Sequence, residues 1–226
     1  MKVSTLVVVL AFLILLGSII FATTKPHEAT AFSTAPPVAN TGAPSEGTCV
    51  TCHSGTGGSG TIGMALVDFQ QTYVPGQTDT LVIAMGHGPG GHVGQSRWGF
   101  ELTALKTSDN SMAGTFAPTA DSPIQTASAT SGGRIYMGHR SNGAIGPLNP
   151  DDGTEWGLPI GGWLVEWTPP GPGSGPVTFY VAGVEADADG AAGDTDTTYT
   201  ATYTVQEQGA SPVTSTTWGK IKTRFH

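Results

Sequence analysis

"RWGFELTALK", residues 97–106, decides the fold class. In an extended chain Trp98, Phe100, Leu102 and Ala104 fall on one side, and Arg97, Gly99, Glu101 and Thr103 on the other. A period of two over this length predicts a β-strand with one face in a core. The same period recurs on either side. Before it, "TIGMALVDF" (61–69) groups Ile62, Met64 and Leu66, and "TDTLVIAMG" (78–86) sets Leu81, Ile83 and Met85 against Val82 and Ala84. After it, "RIYMGH" (134–139) aligns Ile135, Met137 and His139, and "GWLVEWTPP" (162–170) aligns Trp163, Val165 and Trp167. "GPVTFYVAGVEA" (175–186) and "TTYTATYTVQEQ" (197–208) complete the series. About seven or eight short strands, with turns drawn from 33 glycines and 16 prolines, predict one all-β domain over residues 61–207. Its expected form is an antiparallel, immunoglobulin-like sandwich. No stretch after residue 60 carries a helical stripe.

The chain opens on "MKVSTLVVVLAFLILLGSIIFATT", with one lysine, Lys2, before an uncharged run from Val3 to Ala22. That run is longer than the roughly 7–15 residues of a removable signal and about long enough to span a bilayer as a helix. Residues 1–22 are therefore either a signal peptide or a transmembrane anchor retained in the inner membrane. Cleavage would fall after Ala22, or after Ala31 behind Ala29-Thr30-Ala31. Both readings export the remainder to the periplasm or cell surface. Residues 23–48 are rich in Pro, Ala and Thr without either period, the composition of a linker. Residues 208–226 form a basic tail with Lys220, Lys222 and Arg224, too polar to cross a membrane. It reads as a disordered end, a sorting tail or a contact with anionic lipid.

Between linker and first strand lies "GAPSEGTCVTCHSG" (42–55), which holds both cysteines of the chain. A disulfide there would close a ring too small to constrain the unfolded chain. No second Cys/His pair follows at the spacing of a zinc site. A thioredoxin-type dithiol needs a βαβ setting that the flanks lack. What remains is Cys-x-x-Cys-His, the attachment site of c-type haem, with a bare dithiol as the alternative. In that chemistry Cys49 and Cys52 add to the two vinyl groups at one porphyrin edge, and His53 becomes the proximal axial ligand of the iron. Residues 49–60 form the attachment segment and haem c, one per chain, is the expected cofactor. Attachment outside the cytoplasm agrees with export.

Taken together, this segment and the blocks "YVPGQTDTLVI", "WGFELTAL", "AGTF", "GRIYMGH", "GWLVEWTPP", "GPVTFYVAGVEA" and "GDTDTTYTATYTV" resemble the choice-of-anchor V family over residues 42–206. The resemblance implies a Reeler-like β-sandwich of an exported protein. Such domains are often preceded by a Gly-Ala-Pro-x-Glu-x-x-Cys-x-x-Cys-His-Ser-Gly segment, and the family has variable anchoring and no settled activity. Two stretches depart from it: the loop "GHGPGGHVGQSR" (86–97) and the glycine-rich run from Ser141 to Gly162.

For the distal side of the iron, imidazole and thioether are the usual donors. Strand alternation points His139 the way of Ile135 and Met137, towards the core or its edge. It is therefore the distal candidate, against a reading as a histidine satisfied by the backbone. The resemblance supports that second reading, since Reeler-like members without the haem motif keep a histidine here. Met137, Met85 and Met64 are the thioether alternatives, and an open sixth position is the third choice. His27, in the linker, and His87 and His92, in the 86–97 loop, are weaker candidates, and His226 reads as a solvated end.

"EADADGAAGDTD" (185–196) overlays a twelve-position calcium loop, with Glu185, Asp187, Asp189, Asp194 and Asp196 as ligands and Gly190 sixth. It joins strands rather than helices and ends in Asp, so a polar hairpin loop is the competing reading. Net charge is −8, and between Arg140 and Lys220 there are ten acidic residues and no basic one. That excludes a nucleic-acid surface and suits a basic redox partner. No hydrolase signature is present. The expected function is non-enzymatic electron transfer at the cell envelope, with a redox protein or a membrane electron-transfer complex as partner. The alternatives are a surface interaction or adhesion module with a structural or sensory haem, and an accessory subunit of a membrane redox complex.

Overall fold

The computed structural model describes residues 32, 34–53, 55, 61–67, 70–86, 97–120, 126–140, 160–187, 189–193 and 196–209. The expected signal or anchor, the linker up to residue 31, His27, His87, His92, Asp194, His226 and the basic tail beyond residue 209 lie outside them. Among the described residues no helix is long and apolar enough to cross a membrane.

Among the described residues, ten strands follow one short 3-10 turn, Cys49–Thr51. They are β1 (Thr61–Leu66), β2 (Thr72–Tyr73), β3 (Asp79–Gly86), β4 (Arg97–Lys106), β5 (Thr115–Pro118), β6 (Thr126–Ser131), β7 (Arg134–His139), β8 (Ile160–Thr168), β9 (Val177–Ala186) and β10 (Thr197–Glu207). A four-stranded sheet runs β1-β3-β8-β5 and a six-stranded sheet runs β2-β10-β9-β4-β7-β6. All pairs are antiparallel except β2 with β10, which is parallel. The protein is thus an all-β sandwich. Periodicity marks the long strands. It passes over β2, β5 and β6, which are too short or too rich in Thr, Ser and Ala to carry an apolar stripe.

The predicted inward sets meet between the sheets. Leu81, Ile83 and Met85 of β3 and Trp163, Val165 and Trp167 of β8 face Phe100, Leu102 and Ala104 of β4 and Val177, Phe179 and Val181 of β9, all buried. Aromatic rings lock the layers edge to face: Trp167 lies 5.4 Å from Tyr73 and 4.7 Å from Phe179 between centroids. Side chains of this size contribute about 1.5–3 kcal/mol each on burial. The indole N–H of Trp167 is not wasted, because it donates to the Ala113 carbonyl at 2.9 Å. Gly114 makes this approach feasible. Its φ is +86°, and a Cβ there would stand 2.2 Å from the Thr168 carbonyl oxygen.

The other face of β4 is also buried, since Glu101 is 1% and Thr103 0% exposed. What covers the Glu101 end is the stretch before β1. Residues 34–48, expected from composition to be linker, lie packed on the outer face of the six-stranded sheet: Thr41 and Ala43 are buried, and Asn40 donates its backbone N–H to Glu101. Polar side-chain contacts rather than a periodic apolar stripe hold them there, so composition misread them. The Cys49–Thr51 turn is carried on this stretch and thereby held against the sheet.

Candidate functional site

The turn is made by three backbone hydrogen bonds: Thr51 N–H donates to the Thr48 carbonyl at 2.9 Å, and Cys52 N–H at 3.2 Å and His53 N–H at 2.9 Å both donate to the Cys49 carbonyl. It sorts the five residues. Val50 and Thr51 face solvent, Val50 being 51% exposed, while Cys49, Cys52 and His53 line one cavity of about 300 Å³. The opposing walls come from β4 (Gly99, Glu101), the end of β7 (His139), and the loop after β9 (Gly190, Ala191). Phe32 and Pro36 of the covering stretch close one side.

Both thiols are free and half-buried. Burial, followed by the Glu101 carboxyl, pushes the Cys49 thiol up to about 12. A redox dithiol needs the opposite shift, towards thiolate.

His53 is fixed from behind. Its Nδ1 lies 2.6 Å from Oδ2 of Asp196, whose side chain is fully buried, so Nε2 is the ring nitrogen left for a metal. Asp196 is placed by the β9–β10 hairpin, where it immediately precedes the first paired residue, Thr197, opposite Glu185. Its Oδ1 accepts the Asp187 N–H at 3.3 Å.

His139 corrects the alternation argument. Pairing of β7 with β4 ends at Glu101–Gly138, and the ring turns to the outer face, over Gly99. A Cβ on Gly99 would stand 2.7 Å from the ring's Cε1, so only glycine leaves this space. Nδ1 of His139 accepts the Phe100 N–H at 3.2 Å and Nε2 lies 3.3 Å from the Phe32 carbonyl oxygen. Burial pulls its pKa down and keeps the ring neutral. His139 thus shares the cavity of His53, with both its ring nitrogens engaged by backbone groups. The methionine alternatives do not reach the cavity. Met137 and Met85 are buried in the sandwich core, on the other side of the sheet, with Met64 packed against it.

Glu101 was legible only as an off-face residue of its strand. It forms part of the cavity floor, with Oε2 accepting Asn40 N–H at 2.7 Å and Oε1 buried without a hydrogen-bond partner among the described residues. Desolvation outweighs the Asn40 hydrogen bond and, with Glu46 nearby, raises its pKa to about 7. A charged residue inside an otherwise buried strand was the available signal.

The described acidic residues of the 185–196 loop each bond within the protein. Glu185 is buried and accepts from Tyr199 Oη, Asp187 and Asp189 cap backbone N–H groups of their own turn, and Asp196 turns to His53. Among the described residues no group of three or more His, Cys, Asp or Glu is arranged to hold a metal ion. A haem asks less of the protein, because the porphyrin supplies its own nitrogens. The residues present fit that group: two thiols and one imidazole on a single turn, with the imidazole oriented by a buried carboxylate.

No protein-family model matches the chain, and no curated protein is similar to it in sequence. Among solved structures, the human F-spondin reeler domain is similar at 17% identity and a TM-score of 0.40, over 65% of this chain and 88% of that one. The Reelin-N domain of F-spondin gives 17% and 0.42, over 71% and 95%. A cohesin module from a Clostridium perfringens family 33 glycoside hydrolase gives 10% and 0.40, over 67% and 98%. These neighbours are β-sandwiches, and at such values they carry nothing about function.

Proposed function

We propose that this chain is an exported monohaem c-type cytochrome that passes single electrons at the cell envelope, its haem held on the outer face of a Reeler-like sandwich. The observation that carries this reading is the convergence of Cys49, Cys52 and His53 on one cavity, with His53 Nδ1 bound to buried Asp196. Cys49 and Cys52 would each add S–H across a vinyl C=C, sulfur to one carbon and hydrogen to the other, with no change in oxidation state. His53 Nε2 would hold the iron. Bound haem supplies a one-electron Fe(III)/Fe(II) couple. The chain's own residues do the rest: Gly99, Glu101 and Pro36 shape a partly apolar seat, and His139 stands in it as the distal candidate. The electron partner is a one-electron carrier protein or a membrane redox complex. The choice-of-anchor V resemblance and the apolar residues 1–22 agree with an envelope location.

The test is the intact mass and visible spectrum of protein purified from cells that attach haem c. The expected result is a mass raised by one haem, a thioether-type α band on reduction, and loss of both in C49A/C52A. Colourless protein whose two sulfurs both react with a thiol reagent would overturn the reading.

A further inference from the structure

Asp196 lies 143 residues from His53 in sequence, yet its Oδ2 stands 2.6 Å from Nδ1 of that cavity residue, behind the cavity wall. Its carboxylate is fully buried, and its second oxygen is tied to the Asp187 N–H. The loop that delivers it is shaped by two short turns, Asp189 N–H to Asp187 Oδ1 at 3.0 Å and Ala191 N–H to Asp189 Oδ1 at 2.7 Å. These turns also bring Gly190 and Ala191 to the cavity. The acidic loop therefore serves the cavity as wall and as anion.

A carboxylate this close to Nδ1 keeps the ring proton on that nitrogen and draws it away. The electron density left on Nε2 makes it a stronger donor. Stronger axial donation, and a negative charge near the iron in a poorly screened interior, both favour the ferric over the ferrous state. Glu101 brings a second acidic group to the same cavity. We propose that Asp196 is a positioning residue that fixes the tautomer of His53 and holds the bound haem at a low reduction potential, so that the reduced centre delivers its electron to a one-electron acceptor protein of higher potential. In that step Fe(II) becomes Fe(III) and the acceptor gains the electron. The inference rests on the haem reading above.

The experiment compares haem-loaded wild type, D196N and D196E by spectroelectrochemical titration. D196N keeps the shape but loses the charge. It is expected to raise the ratio of reduced to oxidised haem at a fixed poise by at least tenfold, about 59 mV for a one-electron couple. D196E, which keeps the acceptor, should recover part of the wild-type value. A second measurement needs no variant: the 15N spectrum of the His53 ring in the reduced wild type should show Nδ1 protonated and in a strong hydrogen bond. Coloured D196N with an unchanged potential would sink the role of Asp196 and leave the haem reading standing, as would wild-type Nδ1 without that hydrogen bond. Protein lacking covalent haem would remove both.

Discussion

Glu101 makes stability depend on pH in a direction opposite to most carboxylates. Its pKa rises from the ordinary value of 4.5 to about 7 because burial penalises the charged form. The folded state therefore binds more protons than the unfolded state between these values, and folding loses stability as pH rises. The stabilising contribution is complete below about pH 4.5 and gone above about pH 7. A shift of this size corresponds to roughly 3 kcal/mol. Relative to E101Q, wild type should lose melting temperature steadily as pH is raised from 5 to 8; parallel curves would show that the carboxyl ionises freely. At this scale the sequence was informative where chemistry is local. Cys49, Cys52 and His53 could be read as one unit because a single turn brings them together. Asp196 and Glu101 could not, since their relation to His53 and Cys49 exists only after strands distant in sequence have paired. His139 departs from alternation for a third reason: it is the last residue of β7, past the final pair with β4 though still paired with Thr126 of β6, and its ring lies over Gly99.

Among the elements, the stretch 34–53 has the most to lose from a single change. Glu46 pins it to β7: Oε2 accepts the Thr41 hydroxyl at 2.6 Å, and Oε1 accepts the Tyr136 hydroxyl at 2.8 Å and the Arg134 guanidinium. Its side chain is only 3% exposed. Arg134 is 21% exposed, so the pair is only half desolvated, but removing Glu46 takes the acceptor from three groups, whereas deleting one neutral hydrogen bond costs about 1 kcal/mol. E46A should therefore lower the unfolding free energy several times more than Y136F, as read by denaturant titration. Equal and small losses would mean that the stretch is only loosely seated. This attachment was illegible in advance for a physical reason. It is made of a carboxylate, a guanidinium and hydroxyls scattered over 96 positions, from Thr41 to Tyr136, and none of these shows a period. The long strands were legible because each must bury every second side chain, and β3 and β8 do so as the alternation requires.

Over the whole molecule, the net charge of −8 sets how a partner approaches. A basic one-electron carrier would be steered towards the acidic surface, and screening would weaken that steering. The bimolecular rate of electron exchange with such a carrier should fall as ionic strength rises from about 0.01 M to about 1 M, over which the Debye length shrinks from roughly 30 to 3 Å. A rate indifferent to salt, measured by stopped flow, would mean that the chain's charge does not guide docking. Chain order adds a matter of timing. The Cys49–Thr51 turn precedes every described strand, whereas the surfaces that enclose it come from β4, β7 and the loop after β9. A polypeptide emerging N-terminus first would, on the proposed reading, offer both sulfurs to a haem-attaching enzyme while still extended. Completion of the last hairpin narrows that window, as burial around the Cys49 sulfur raises its thiol pKa. On the haem reading proposed above, modification would come before closure, and a molecule that folded first would go without the group.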